Sequence, residues 1–182
     1  MRFKVVPAVP EGAREEPGVG LEQLTRARKA VPLVPRSEDD CCMRVVNADV
    51  VGARDAASEW LTFARALGLV AESDRGYHRV RDGPDPTTRE GRATLADRFR
   101  ERVFGADELL GALREAEAGL TVDAAFDRFR DRIPNWERRH HSDAVTVWRD
   151  RVRNLLDWAV VLGLAAWDGD RERYVTTQSR SA

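Results

Sequence analysis

Apolar residues recur at their most regular spacing between residues 54 and 67. Apolar side chains recur there every three or four positions, as they do on the buried face of a helix: Ala57, Trp60, Leu61, Ala64 and Leu67. Gly68 follows in the position that commonly ends a helix. Two short apolar runs around the polar turn at residues 72–76 then predict a β-hairpin.

A second long helix is predicted from about Asp143. Its buried stripe comprises Val145, Trp148, Val152, Leu155, Leu156, Ala159 and Leu162. Gly163 ends this helix, and a second hairpin follows, with residues 164–167 and 173–175 as its strands.

Shorter segments complete a mainly α-helical fold with small β-hairpins. Helix-forming composition marks residues 21–30, and Ser37 is a suitable N-cap for the helix after it. Further helical patterns lie between residues 94 and 133. Residues 81–93 are polar and contain two prolines and two glycines, which predicts a linker between one unit at residues 1–80 and another at residues 94–182.

The two halves of the chain repeat each other at an offset of 95 residues. At this offset Leu67-Gly68-Leu69 aligns with Leu162-Gly163-Leu164, and Phe63 aligns with Trp158. Both copies continue with a short strand, a charged turn and a strand that contains an aromatic residue. Allowing two more residues in the second turn, Tyr77 aligns with Tyr174.

A helix, Leu-Gly-Leu and a hairpin resemble the closing half of the winged-helix fold. Residues 106–133 resemble the first two helices of the second copy, and residues 21–46 resemble those of the first. The resemblance implies two winged-helix-like units in tandem. Because winged-helix proteins have many functions, it argues for a fold and not for a function. The whole chain also resembles small proteins of halophilic archaea, a likeness that implies no particular activity.

Composition places the chain among globular proteins. Hydrophobic residues make up 42% and charged residues 34% of the sequence. No apolar run approaches the roughly 18 residues of a membrane-spanning helix, and the first residues lack the apolar stretch of a secretory signal. We therefore expect a cytoplasmic protein with no membrane contact. The net charge of −1 does not suit a dedicated nucleic-acid coat protein, but it leaves room for a local basic face.

The resemblance implies where duplex DNA would be bound. The third helix of such a unit enters the major groove and the wing contacts phosphate. Candidate third-helix residues are Arg54, Ser58, Thr62 and Arg65 in the first unit, and Thr146, Arg149 and Arg153 in the second. Candidate phosphate-contacting residues are the wing arginines Arg75, Arg79, Arg171 and Arg173, with Arg138 and Arg139 in a basic connector.

Acidic residues alternate with these arginines, so ordinary solvated surface is the competing interpretation. DNA binding, in a transcriptional or chromatin-associated regulator, predicts one continuous positive face in the folded chain. A non-catalytic protein–protein adaptor predicts instead an exposed apolar patch, with Trp136, Phe63 or the N-terminal strand as its anchors.

Signatures of catalysis and of cofactor binding are missing from the sequence. There is no phosphate-binding glycine loop, no dinucleotide fingerprint, no nucleophile elbow and no zinc-protease motif. Cys41 and Cys42 are adjacent, a spacing that fits neither a disulfide framework nor a zinc site, and we expect buried thiols. The sequence therefore predicts a binding protein without enzymatic activity, metal or cofactor. An enzyme is the third hypothesis, and it would require a deep pocket with converging titratable groups.

Overall fold

The computed structural model of the chain describes residues 2–135, 137 and 143–177. Its first half contains three helices followed by an antiparallel hairpin: α1 (Pro17–Ala30), α2 (Glu38–Asn47), α3 (Arg54–Ala66), β1 (Val70–Ser73) and β2 (Gly76–Arg79).

The second half repeats this order after one additional helix, α4 (Arg89–Arg102). The repeat comprises α5 (Ala106–Glu115), α6 (Val122–Phe129) with a 3-10 turn at Arg130–Arg132, α7 (Ala144–Val161), β3 (Ala165–Asp168) and β4 (Arg173–Thr176). The predicted fold class, mainly helical with two small hairpin wings, is confirmed.

Both third helices end in the same hydrogen-bonded motif. The amide of Leu69 donates to the carbonyl of Ala64 at 2.9 Å, and the amide of Leu164 donates to that of Ala159 at 2.8 Å. The middle glycine of each Leu-Gly-Leu sequence has a positive φ, +70° at Gly68 and +75° at Gly163. Residues with a side chain rarely adopt this conformation. The Leu-Gly-Leu repeat in the sequence therefore encodes one backbone turn, used twice.

The second helices also begin alike. The Ser37 hydroxyl accepts a hydrogen bond from the Asp40 amide, and the Thr121 hydroxyl accepts one from the Ala124 amide. The residue before each cap, Arg36 or Leu120, forms a β-bridge with the wing tyrosine, Tyr77 or Tyr174. Each wing is thus held against the chain that leads into its own second helix.

Helix α4 begins inside the segment predicted as a linker. Thr88 caps it by accepting a hydrogen bond from the Gly91 amide at 3.0 Å, so residues 89–93 are helical. Gly91 lies directly against the backbone of Asp85, because a Cβ atom built on it would be 1.9 Å from the Asp85 carbonyl oxygen. The prolines before the cap, Pro84 and Pro86, are buried.

Val145 is a second difference from the sequence-based expectation. The periodicity predicts it in the buried stripe of the last long helix, yet it is 62% exposed. It lies in the first turn of α7, where Ala144 and Trp148 take the buried positions.

An aromatic cluster joins α3, α4 and α7. The ring of Trp158 lies 4.8 Å from that of Phe63 and 5.5 Å from that of Trp60, and Phe63 also contacts Phe99 at 6.4 Å, measured between ring centroids. The rings meet edge to face or tilted, arrangements that add to the burial of their apolar surface. This cluster places residues of both predicted units in one core.

The N-terminal segment lies on the second half of the chain. Phe3 forms a parallel bridge with Val103, and the Trp158 indole donates to the Pro7 carbonyl at 2.8 Å. The side-chain amide of Asn154 donates to the Val6 carbonyl at 3.0 Å. Contacts therefore cross the predicted linker, while the division into units at residues 1–80 and 94–182 stays a prediction. None of the helices in the described ranges has the length and apolar character needed to cross a membrane.

Candidate nucleic-acid interface

The third helix of the first unit carries its candidate residues in contact with acids. Arg54 donates to Asp39, with Nε at 3.0 Å from a carboxylate oxygen. The Ser58 hydroxyl donates to Glu38 at 2.8 Å, and Arg65 pairs with Glu72 of the wing at 2.7 Å. Thr62 is half-buried on the same helix.

The third helix of the second unit repeats this arrangement. Arg149 pairs with Asp123 at 2.6 Å, and Arg153 pairs with Asp150 at 3.1 Å. The hydrogen bond from the Arg149 guanidinium lowers the pKa of the Asp123 carboxyl, so this acid keeps its negative charge well below neutral pH. Thr146 is exposed beside them.

Two of these ion pairs are the same pair in the two copies. Arg54 and Arg149 are related by the 95-residue offset, and each pairs with the aspartate two positions after the N-cap of the second helix. In the first unit the pair links the first residue of α3 to the first turn of α2, and in the second unit it links the second turn of α7 to the first turn of α6. The arginine that would enter a DNA groove is therefore already matched by a carboxylate in both units.

The first wing differs, because its arginines are not matched by acids. Arg75 and Arg79 lie on or beside β2, and Arg36 lies on the neighbouring segment, where the Tyr77 amide donates to the Arg36 carbonyl at 2.8 Å. Arg81 follows two residues after Arg79. Among residues 2–135, 137 and 143–177, none of these four side chains has an acidic partner. We call Arg36, Arg75, Arg79 and Arg81 the wing-1 arginine cluster.

Sequence reasoning named Arg75 and Arg79 but missed Arg36 and Arg81. Arg36 is far from the hairpin in sequence and reaches it only through the bridge to Tyr77. Its position just before the cap Ser37 is the one signal that could have indicated this placement. Asp74 and Asp82 are adjacent in sequence to Arg75 and Arg81, and Glu38 and Glu72 lie near Tyr77. Glu38 is bonded to Ser58 and Glu72 is paired with Arg65, so neither forms an ion pair with the cluster.

The two arginines of the second wing have partners within the protein. Arg171 lies 3.9 Å from Asp168 of the same hairpin, and Arg173 donates to the Ala118 carbonyl at 3.4 Å. The two remaining candidates, Arg138 and Arg139, lie outside the described residues, as does Trp136. Among the described candidates, the arginines of the third helices and of the second wing therefore have polar partners, whereas Arg75 and Arg79 have no acidic partner.

The other residue types considered for chemistry are buried or dispersed. Cys41 and Cys42 are free thiols in the core, and burial raises the pKa of both. Within the described part of the chain, no group of three His, Cys, Asp or Glu side chains could hold a metal ion.

Three helices, a bridge and a hairpin, present twice, define a double winged-helix protein. The chain belongs to the family described as Halobacterial double winged helix domain, whose model matches residues 1–179. No curated protein and no solved structure matches the chain.

Proposed function

We propose that this protein binds duplex DNA through the wing of its first unit, mainly by contacts to phosphate. The observation that carries the proposal is the wing-1 arginine cluster, which has no acidic partner in the described ranges. Guanidinium groups without acidic partners, on and beside a hairpin, are suited to phosphate, which accepts two parallel hydrogen bonds from one arginine.

We expect the third helices to contribute less to DNA binding than the first wing does. Reading a base edge requires a free arginine or amide in the major groove, whereas Arg54, Arg65, Arg149 and Arg153 are each paired with a carboxylate. Binding that depends on phosphate tolerates many sequences and weakens with salt. Such binding fits a chromatin-associated protein better than a sequence-selective regulator, and it requires no catalytic group.

The test is fluorescence anisotropy of a labelled random duplex across a salt series. We expect affinity to fall steeply with salt, and we expect the double variant Arg75→Ala/Arg79→Ala to reduce the slope of log affinity against log salt by about 2, or roughly 0.9 for each phosphate contact. Arg171→Ala/Arg173→Ala in the second wing is the matched control and should change little. Absence of binding at low salt, or equal binding by both double variants, would overturn the proposal.

A protein–protein adaptor remains the second candidate, favoured by a different surface. Val145 and Val147 are 62% and 44% exposed at the start of α7. Two anchors expected from the sequence are not available, because Phe63 is fully buried and Phe3 is paired with Val103. A chain that ignores duplex DNA, yet holds one stoichiometric protein partner that Val145→Asp/Val147→Asp loses, would favour this function.

A further inference from the structure

A cleft of about 600 Å³ lies on the molecule apart from the wing-1 arginine cluster. Its walls come from the N-terminal segment and α1, from the first turns of α4, and from the end of α7 with β3. Residues from both halves of the chain therefore form one concave surface. A volume of this size is typical of a small-molecule site.

Three arginines face this cleft, against one acid. Arg14 lies over the Trp167 ring, with its guanidinium carbon 4.0 Å from the ring centroid, and it pairs with Glu15 at 3.4 Å. Arg92 donates to the Thr87 carbonyl at 3.2 Å, which leaves its positive charge uncompensated. Arg89 is exposed and has no acidic partner in the part of the chain that the structure describes. The cleft thus has an excess of positive charge.

The floor of the cleft is apolar. Leu21 of α1 and Val161 of α7 contribute to it. The two helices are in close contact there, because a Cβ atom built on Gly20 would lie 2.6 Å from a Val161 methyl group. An apolar floor beneath a rim of arginines is matched by a ligand with an apolar body and a negatively charged end group. Long polyanions such as nucleic acid do not require such a floor.

We propose that this cleft binds a small organic anion, with its apolar part against Leu21 and Val161 and its carboxylate or phosphate between Arg89 and Arg92. Both arginines lie in the first turn of α4, the end of a helix that favours negative charge. Trp167 and Arg14 also line the cleft. Since the walls come from both units, a bound anion stabilises their packing against each other, as an effector does. The site is independent of the proposed DNA binding.

Calorimetric titration with octanoate, octyl phosphate and octanol tests this site. We expect saturable binding of one or both anions and at least about tenfold weaker binding of octanol, because a charge-assisted hydrogen bond is lost. Preference for octyl phosphate or octanoate identifies the end group. The anions should also raise the melting temperature of the protein, because they bind the folded state.

The variant Arg89→Ala/Arg92→Ala should bind the better anion at least about tenfold more weakly while keeping its circular dichroism spectrum. Arg102→Ala/Arg114→Ala, which removes two exposed helical arginines that do not line the cleft, is the control and should bind as the unchanged protein does. Equal binding of octanol, no binding of either anion, or unchanged binding by Arg89→Ala/Arg92→Ala would each overturn the proposal. DNA binding measured on the same variants reports separately on the first wing.

Discussion

Gly68 and Gly163 hold equivalent positions in the two units but have different surroundings. A Cβ atom at residue 163 would meet open space, whereas one at residue 68 would lie 2.0 Å from the Arg98 guanidinium. Arg98 uses that group to donate to the carbonyls of Leu67 and Gly68, at 3.1 and 3.2 Å. The two sites therefore separate the cost of backbone strain from the cost of a displaced side chain.

We expect Gly163→Ala to lower the free energy of unfolding by about 1–2 kcal/mol, the cost of a left-handed conformation with a Cβ atom. Gly68→Ala should lower it by about 1 kcal/mol more, because Arg98 loses its hydrogen bonds. Urea unfolding measures both. In an Arg98→Ala background the additional loss at residue 68 should disappear. Equal losses at the two glycines in the unchanged background would contradict this explanation.

Asp157 is a buried acid on α7 that accepts a hydrogen bond from the Tyr174 hydroxyl. Burial raises the pKa of the Asp157 carboxyl, against the opposing effects of the Tyr174 hydrogen bond and of Arg14. The folded protein therefore holds this proton more tightly than the unfolded chain does. The carboxyl stabilises the fold fully below its unfolded pKa of about 4 and loses that contribution as pH rises through the higher folded value.

Asp157→Asn should remove this pH dependence, because the amide oxygen can still accept from Tyr174 without carrying a charge. The difference in unfolding free energy, unchanged protein minus variant, should become less favourable as pH rises above about 4. Chemical unfolding of both proteins between acid and neutral pH gives this difference. If it grows with pH instead, the attraction of Arg14 outweighs burial and the sign of the shift is wrong.

At the level of elements, an equivalent arginine–aspartate pair links the third helix of each unit to the first turn of its second helix. In the first unit this pair adjoins the wing-1 arginine cluster, because Asp39 is three residues after Arg36. In the second unit the corresponding wing arginines are engaged with Asp168 and the Ala118 carbonyl. The same substitution should therefore affect DNA binding differently in the two copies.

Asp39→Asn should strengthen binding to a random duplex and steepen its salt dependence, because it frees Arg54 and removes a negative charge beside the cluster. Asp123→Asn is the matched variant and should have a smaller effect. Anisotropy measures the affinities, and circular dichroism checks that neither variant loses helix content. A stronger effect of Asp123→Asn would place the DNA on the second unit.

The elements that the sequence predicted best are those with one fully buried face. Helices α3 and α7 repeat apolar residues every three or four positions. A glycine just after each helix marks its end, and a hairpin follows. The start of α4 was missed because its cap, Thr88, lies in a polar segment without apolar periodicity. Val145 was misplaced because periodicity does not show where the neighbouring elements end.

The sequence shows which residues of the candidate site are arginines, but not which residues they contact. Arginines are visible in any sequence, yet the acid that matches Arg54 is 15 residues away and the bridge that brings Arg36 to the wing spans 41 residues. Such pairings depend on how helices pack, so periodicity within a single helix does not reveal them. The arginines of the anion cleft likewise come from segments that meet only in the folded chain.

At the scale of the whole molecule, the two units share one core. Trp158 of α7 contacts Trp60 and Phe63 of α3, and its indole donates to the Pro7 carbonyl of the N-terminal segment. The side chain is fully buried. Loss of Trp158 should therefore weaken both halves of the chain together, although it belongs to the second.

We expect the protein to unfold in a single transition, and we expect Trp158→Ala to lower the free energy of unfolding by about 3–5 kcal/mol. Hydrogen exchange should accelerate in α3 and α7 to a similar degree, because both lose the same packing partner. Val145→Ala on the same helix is the control and should change stability by less than about 0.5 kcal/mol, since Val145 is 62% exposed. Two separate transitions, with only the second lowered by Trp158→Ala, would show that the units are independent domains and that the contacts between them contribute little.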